Sequence, residues 1–329
     1  HTTQKYKAVC KVRSRVRFAL TGTPVENRLG ELWSIFSFLM PGYLPPYKSF
    51  CSRFEKPIVQ EEDQTAVRRL NQLTGPFILR RMKSDVLKEL PPKTENVYRI
   101  ELEEEQRKLY LAAVVDAREK LQAAKPEDKM AVFAVLMRLR EICCDPRLIA
   151  DNWEGGSAKL DACAELVSSA VEGGHRILLF SQFTSMLELL AKRLDAEGIS
   201  HFTLQGSTPK PVRAELVRRF NGGEVSVFLI SLRAGGTGLN LTAADIVIHY
   251  DPWWNVAAQN QATDRAYRIG QQNPVQVYKL IAQDTIEEKI VELQQAKQSL
   301  ADTVTGTADG AILSMRPDEL LQLLEGSEP

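Results

Sequence analysis

Hydrophobic and polar positions follow two alternating patterns along residues 157–283. Short apolar runs, each bounded by glycine or polar residues, are typical of strands that are buried on both faces. Five segments fit this description: Arg176–Phe180, His201–Leu204, Val225–Ile230, Asp245–Tyr250 and Val275–Ile281. The segments between them have helical patterns. This alternation of strand and helix predicts a parallel sheet with helices on both faces.

The predicted helices are marked by apolar stripes and by the residues that end them. Met186, Leu190 and Leu194 lie at helical spacing, and a second stripe ends at Phe220, directly before a glycine-containing segment. The polar segment Asn255–Tyr267 also predicts a helix. These helices would supply the layers that cover the sheet.

Segments outside the regular stretch predict other elements. Residues 103–150 predict two helices with a break between them, and residues 41–60, rich in proline and aromatics, predict a loop with short helices. Phe18–Leu20 resembles the end of a strand. Asp284–Glu287 predicts the capped start of a helix, with the capping partner three residues on.

Composition and charge exclude some classes of protein. The chain has 329 residues, 44% apolar and 26% charged, which is typical of a folded globular protein of about two domains. Lys plus Arg and Asp plus Glu both number 42, which excludes a uniformly basic nucleic-acid coat protein. A local basic cleft, balanced by acidic surface elsewhere, remains compatible with this charge.

The cysteines and the first residues of the chain indicate the cellular compartment of the protein. None of the five cysteines forms a CxxC pair, and together with four histidines they predict no metal site. Reduced thiols and the lack of a membrane span or signal peptide predict an intracellular protein. We expect the cytoplasm or nucleoid of a prokaryote, or the nucleus if the source is eukaryotic. Because His1 is not an initiator Met, we expect a segment of a longer chain.

A segment with two arginines is the first candidate for chemistry. In a continuous helix, Gln261, Arg265 and Arg268 would share one face. Two guanidiniums one turn apart can clamp a polyphosphate and stabilise charge on a transferring phosphoryl group. The alternative is an exposed helix in which Asp264 pairs with Arg268.

Two loops that follow predicted strands are further candidates. The glycines in Ser231–Asn240 would let backbone N–H groups approach an anion, although an ordinary tight turn explains them as well. The segment is not a dinucleotide-binding GxGxxG motif. The Thr21–Pro24 turn could contact phosphates or cap a helix that begins near Glu31.

Six blocks taken together closely resemble the motifs of Swi/Snf-type ATPases, the chromatin-remodeller-like branch of the helicase superfamily. The resemblance covers nearly all of residues 5–300. The blocks, in chain order, are LTGTPVENRLGELWSIFSFLMPGYL, FILRRMKSDVLKELPPK, RILLFSQFTSML, LQGSTPKPVRAELVRRFN, SLRAGGTGLNLTAADIVIHYDPWWN and QATDRAYRIGQ.

The resemblance implies a motor of two RecA-like lobes that binds ATP and Mg²⁺ between them and moves along double-stranded DNA without separating its strands. Arg265 and Arg268 match catalytic arginines that reach the ATP phosphates. Gln261, Asn240 and Gly236 match positions near the nucleotide. The motif that couples nucleotide state to DNA contacts matches Thr21, Gly22, Thr23 and Pro24.

The resemblance also implies contacts to DNA, mainly through its phosphates. A DNA-bound protein would be a further partner, and no membrane is expected. Positions that match DNA-approaching segments of the family are Ser181, Gln182, Gly206, Ser207, Thr208, Ser231, Arg233, Gly235 and Thr237.

The sequence departs from the family pattern in three respects. No Gly-Lys dipeptide occurs in it, so a Walker A loop is missing. The acidic box that binds Mg²⁺ in the family normally precedes the Thr21–Pro24 block, and it too is missing. We therefore expect Mg²⁺ to be bound by the absent first lobe, and this segment alone to be inactive. Gln205 stands where the family usually has Asp.

The expected organisation is an α/β protein with a RecA-like parallel sheet and an α-helical insertion. Residues 1–45 would be the remnant of the first lobe, 46–155 the helical insertion and interlobe linker, 156–283 the second lobe, and 284–329 a bracing helix and tail. A non-catalytic DNA- or protein-binding module is the second hypothesis. A nucleotide-dependent oxidoreductase, suggested by the glycines and the sheet, is the third.

For two side-chain pairs we favour a structural role in packing over a functional one. Trp253-Trp254 could touch DNA or a partner, but packing of at least one ring into the lobe is the preferred interpretation. Cys143-Cys144 lie on an apolar helical stripe and predict core positions.

Overall fold

The computed structural model describes residues 3–21, 29–61, 63–79, 87, 90–125, 128–150, 152–235, 238–294 and 317–325. The chain divides into two compact units. The first comprises residues 1–86, 255–257 and 294–311, and the second comprises residues 87–254, 258–293 and 312–329.

The described part of the first unit is helical. Its helices are α1 (Gln4–Cys10), α2 (Leu29–Leu39), α3 (Tyr47–Phe50), α4 (Lys56–Gln60) and α5 (Gln64–Thr74), with a π-helical turn at Cys51–Glu55 and a 3₁₀ turn at Gly75–Phe77. Asp63 caps α5 by accepting hydrogen bonds from the N–H groups of Thr65 and Ala66. Leu32, Phe36 and Leu70 belong to the buried core of this unit. The short helices expected in residues 41–60 are confirmed.

The strand expected to end at Phe18–Leu20 is not formed. Residues 12–14 and 17–21 have no regular hydrogen-bonded structure. Val16, Phe18 and Leu20 are 63%, 83% and 100% exposed. Strand geometry persists only where a neighbouring strand bonds the N–H and C=O groups, and the described residues supply no such neighbour here.

The second unit contains a six-stranded sheet in the order β1-β6-β5-β2-β4-β3. Every pairing is parallel. The strands are β1 (Lys93–Ile100), β2 (Ile177–Ser181), β3 (His201–Leu204), β4 (Val227–Ser231), β5 (Ile246–His249) and β6 (Val275–Ala282). The five strands expected from the apolar runs are confirmed.

Strand β1 lies inside residues 46–155, the region expected to be a helical insertion and linker. It pairs with β6 from Lys93–Val275 to Ile100–Ala282 and so adds an edge strand to the sheet. Seven of its eight residues are exposed, and only Ile100 is buried. The apolar run that marks a buried strand is therefore absent from this segment.

Helices cover both faces of the sheet, as expected. Helices α8 (Ala158–Glu172) and α9 (Thr184–Ala196) pack on the face that carries Ile177 and Leu179. Helices α10 (Lys210–Asn221) and α12 (Val256–Thr263) pack on the face of Leu178 and Phe180. The alternation along β2 follows from the two-residue period of a strand.

A third, helical layer adjoins the sheet. Helices α6 (Glu104–Ala123) and α7 (Lys129–Cys144) are the two that the pattern in residues 103–150 predicts. The short helix α11 is Leu232–Gly235, α13 covers residues 286–294, and α14 is Pro317–Glu325. Helices α6, α7, α13 and α14 share one buried cluster.

Two helix ends differ from expectation. The helix predicted over Asn255–Tyr267 ends at Thr263, and turns follow through Gly270. The cap of α13 is shifted by one residue, because Thr285 Oγ1, not Asp284, accepts the N–H of Glu287. Asp284 instead has a positive φ of 55°.

Within the described ranges, no helix is long and apolar enough to cross a bilayer, and no group of three His, Cys, Asp or Glu side chains is placed to hold a metal ion. Cys143 and Cys144 are buried, as predicted.

Candidate functional site

The carboxyl ends of the strands bring several predicted site residues to one edge of the sheet. Ser181 ends β2, Ser231 ends β4, and residues 205–208 follow β3. Parallel strands end at a common edge, and β4 lies between β2 and β3, so these segments are neighbours. In open α/β sheets, ligands bind at this edge.

The turn at residues 205–208 is closed by its own backbone and one hydroxyl. The Gln205 N–H donates to Thr208 Oγ1, and the Thr208 N–H donates to the Gln205 carbonyl, both at 3.1 Å. Neither bond uses the side chain of Gln205, so the departure from the family's Asp leaves this closure intact. Gly206 and Ser207 are exposed at the tip of the turn.

Ser181 and Gln182 are held by a buried carboxylate. The Ser181 hydroxyl donates to Asp251 Oδ1 at 2.6 Å, and the Gln182 N–H donates to the same carboxylate at 3.2 and 3.3 Å. Burial raises the pKa of Asp251, an effect that the nearby charge of Arg140 opposes. In this arrangement the Ser181 hydroxyl is buried and engaged, whereas its expected role is to approach DNA.

Arg140 connects helix α7 to this carboxylate. Its Nη2 donates to Asp251 Oδ2 at 3.2 Å and to the Pro252 carbonyl at 2.5 Å. Its guanidinium carbon lies 4.6 Å from the centre of the Trp254 ring and 5.9 Å from that of Trp253. Cation–π contacts and the ion pair therefore hold the segment after β5 against α7.

Trp253 and Trp254 pack against the helical layer, which is the interpretation that we preferred from the sequence. Trp254 is 5% exposed and belongs to the cluster of the helical layer. Its ring centre lies 4.9 Å from that of Trp253 and 6.1 Å from that of Phe133 on α7.

The loop after β4 is described only in part. Ser231 is buried, Arg233 and Gly235 lie in α11, and Gly236 and Thr237 fall outside the described residues. The following segment is anchored to α10, because Asn221 Nδ2 donates to the carbonyl of Asn240 at 2.9 Å and Asn221 Oδ1 accepts the N–H of Ala243 at 3.3 Å. Asn240 itself is exposed.

The Thr21–Pro24 block is also described only at its start. Thr21 is exposed, while Gly22, Thr23 and Pro24 lie outside the described residues.

The two candidate arginines lie just beyond the end of α12, not on a continuous helix. The N–H groups of Arg265 and Ala266 bond to carbonyls three residues back, which tightens the chain after Thr263. Arg265 is 9% exposed and Arg268 is exposed. The alternative of an exposed helix with an Asp264–Arg268 pair is wrong, because within the described residues no ion pair involves Arg268.

The Arg265 guanidinium is in an unfavourable environment for a cation. Burial lowers its pKa, and the charge of Arg268 lowers it further, whereas Asp264 raises it. Arg265 Nε is buried, with no hydrogen-bond partner among the residues that the structure describes. A cation that is desolvated and repelled in this way is stabilised by an anion.

The arginine segment is joined to the stretch between β4 and β5. The Arg265 carbonyl accepts the N–H of Leu241 at 3.0 Å, which ties it to the residue after Asn240. Gln271 Nε2 donates to the carbonyls of Ala266 and Ala244, at 3.2 and 2.7 Å. Gln261 lies in α12 and is half-buried.

Gln271 and Arg140 were not predicted as site residues. Gln271 uses its whole amide, since its Oε1 also accepts the N–H groups of Gln272 and Asn273 at 2.9 Å. A signal for Arg140 was present, because it is a charged residue within the apolar stripe of α7 that includes Leu136 and Cys143.

A buried ion pair connects helix α8 to helix α13. Lys159 of α8 donates to Glu287 Oε2 of α13, and both side chains are fully buried. Glu287 Oε2 also accepts the N–H of Ala282 at 2.9 Å. Burial acts to lower the pKa of Lys159, but Glu287 and the neighbouring thiols of Cys144 and Cys143 act in the opposite direction, and the net effect is a raised pKa.

Family models match most of the chain. The SNF2-related domain matches residues 1–148, and the helicase conserved C-terminal domain matches residues 158–270. An uncharacterised ATP-dependent helicase of Mycoplasma genitalium is 39% identical over 97% of the chain and 31% of its own length. The putative ATP-dependent helicase/translocase YwqA of Bacillus subtilis is 40% identical over 98% of the chain and 36% of its own length. The chain thus spans about a third of these relatives' length.

A solved structure supports the same family assignment as the sequence comparisons. The Sulfolobus solfataricus SWI2/SNF2 ATPase core in complex with dsDNA is 35% identical, with a TM-score of 0.61 over 97% of this chain and 68% of that one. The expected RecA-like sheet is confirmed by this likeness and by the all-parallel topology. The chain belongs to the SNF2 family of helicase-superfamily ATPases, which its six motifs resemble.

Proposed function

We propose that the chain is part of an ATP-driven motor that moves along double-stranded DNA and remodels protein–DNA complexes. Its role in ATP hydrolysis is to bring Arg265 and Arg268 to the phosphates of the nucleotide. The observation that carries this proposal is the buried Arg265 guanidinium, which is repelled by Arg268 and has an Nε without a partner among the described residues. The phosphates of ATP supply the missing negative charge.

The described residues fit ATP better than they fit its metal ion. The two guanidiniums are suited to phosphate oxygens, while no described cluster of acidic or histidine side chains suits Mg²⁺. We assign the Mg²⁺ and the phosphate cradle to an acidic box and a Walker A loop outside these 329 residues. ATP and Mg²⁺ would provide the reactive phosphate and its neutralisation, and the chain's arginines would stabilise charge that develops during phosphoryl transfer.

The polymer along which we propose that the motor moves is duplex DNA. The segments after β2, β3 and β4 share one edge of the sheet, and the exposed tip at Gly206 and Ser207 suits phosphate contacts. Such contacts carry no sequence information, as a translocating motor requires. The structural relative from Sulfolobus solfataricus, which was solved with dsDNA, supports duplex DNA as the partner.

The test measures ATP turnover by the full-length gene product, with and without duplex DNA. We expect DNA to stimulate the wild type strongly, and Arg265→Ala or Arg268→Ala to lower kcat by a factor of about 10³ or more. The matched control is Arg193→Ala on helix α9, which removes an arginine that pairs with Asp161 and Glu197. If both site variants retain turnover within a few-fold of the wild type, the proposal is wrong.

A further inference from the structure

One guanidinium binds most of the carbonyls of the turn at residues 205–208. Arg213 Nε donates to the Thr208 carbonyl at 2.7 Å. Its Nη2 donates to the Gly206 carbonyl at 2.7 Å and to the Gln205 carbonyl at 3.3 Å. The planar fork of Arg can reach several acceptors at fixed angles, whereas the single ammonium of Lys cannot reproduce this geometry.

These bonds also fix the direction of the amides in the turn. In a planar trans peptide, the carbonyl of one residue and the N–H of the next point in opposite directions. When the carbonyls of Gln205 and Gly206 point towards Arg213, the N–H groups of Gly206 and Ser207 point away from it. Within the described part of the chain, neither N–H has an acceptor, and both residues are exposed.

We propose that Arg213 is a positioning residue that aims the N–H groups of Gly206 and Ser207 at a phosphate of the DNA backbone. This inference rests on the proposed function, since it takes duplex DNA as the ligand. Arg213 acts through the turn and does not itself contact the phosphate. The two amides form a small anion-binding concavity at the carboxyl edge of the sheet.

The experiment compares Arg213→Lys, Arg213→Ala and a control, Arg218→Ala, in the binding of a fluorescent DNA duplex across a salt series. Arg218 lies on the same helix, is 74% exposed at its side chain and pairs with Glu215, so its removal takes away the same charge without touching the turn. We expect both Arg213 variants to lose about tenfold in affinity at fixed salt, and Arg218→Ala to lose much less.

The salt dependence separates positioning from direct contact. Amide contacts release no counterions, so the slope of log affinity against log salt should be the same in Arg213→Ala and Arg218→Ala. A direct phosphate contact by Arg213 would instead reduce the slope by about one in Arg213→Ala and leave Arg213→Lys close to the wild type. That result would overturn the inference.

Hydrogen exchange gives a readout that needs no DNA. We expect exchange of the bonded N–H groups of Gln205 and Thr208 to rise in both Arg213 variants and to stay unchanged in Arg218→Ala. If exchange and affinity of Arg213→Lys equal those of the wild type, Arg213 does not position the turn. If the wild type shows no salt-dependent binding of duplex DNA, the proposed function fails together with this inference, whatever the exchange rates show.

Discussion

At the scale of single residues, the sequence did not indicate the partners of the side chains that organise the site, although Arg140 itself stands out as a charge in an apolar stripe. The candidates Arg265 and Arg268 stand in a motif, and their residue type alone suggests phosphate chemistry. Arg140 acts through Asp251, a residue far away along the chain, and Gln271 acts through backbone carbonyls. Such pairings depend on tertiary contacts that neither spacing nor residue type reveals.

His249 is a buried residue with a predictable effect on stability. Its Nε2 lies 2.8 Å from Thr263 Oγ1, and burial lowers its pKa to about 3. In the unfolded chain a histidine titrates near 6.5, so between these values only the unfolded chain takes up the proton. We therefore expect the free energy of unfolding to fall as pH falls from about 6.5, by up to about 1.4 kcal/mol per pH unit from this group.

The measurement is urea unfolding at several pH values in the wild type and in His249→Gln. The variant should show a shallower loss of stability below pH 6.5, because it has no imidazole to take up the proton on unfolding. Equal slopes in the wild type and His249→Gln would show that His249 is protonated in the folded protein.

At the scale of elements, apolar patterns were sufficient to predict the strands that the sheet buries. Strands β2, β4 and β5 are buried at every residue, and β3 and β6 are buried in part. The edge strand β1 was not indicated, since exposure removes the apolar signal while its pairing with β6 remains. The helix over Asn255–Tyr267 was predicted too long because its polar residues contain no stop signal before Gly270.

The Lys159–Glu287 pair joins helix α8 to helix α13, and its removal tests that connection. Lys159→Met leaves the Glu287 carboxylate buried without its cation, and we expect a loss of about 3–5 kcal/mol in the free energy of unfolding. Lys159→Met combined with Glu287→Gln should lose less, because a neutral amide oxygen can still accept the N–H of Ala282. Urea unfolding of both single variants and the double variant gives the coupling.

The control is an ion pair on the surface of α6. Lys108 pairs with Glu104 at 2.8 Å, and both side chains are exposed. Lys108→Met should leave the free energy of unfolding almost unchanged, since exposed pairs contribute little. If the losses of the two single variants at residues 159 and 287 simply add up in the double variant, the buried charges are not coupled.

At the scale of the whole molecule, the ordered motifs indicated the family, whereas composition indicated only a folded globular chain. A net charge of zero gives no hint of a DNA partner, because its basic residues are balanced by acidic ones elsewhere. The alternating pattern predicts the parallel sheet, the resemblance implies its RecA-like type, and the topology and the comparisons confirm them. The parts of the site at Gly22–Pro24 and residues 236–237 lie outside the described residues, so their roles stay predictions.

The last prediction concerns the 329-residue chain by itself. The chain has no Gly-Lys dipeptide, so we expect it to hold no Walker A loop and its arginines to meet no positioned phosphate. Electrostatic stabilisation accelerates phosphoryl transfer only when the reacting group is held in place, and we therefore expect ATP turnover at background level, with or without duplex DNA. The measurement is phosphate release by the purified chain, compared with Arg265→Ala prepared in the same way. Equal rates of phosphate release in both preparations would assign any residual turnover to a contaminating ATPase. Turnover that depends on Arg265 and rises with DNA would show that the chain contains a complete ATP site.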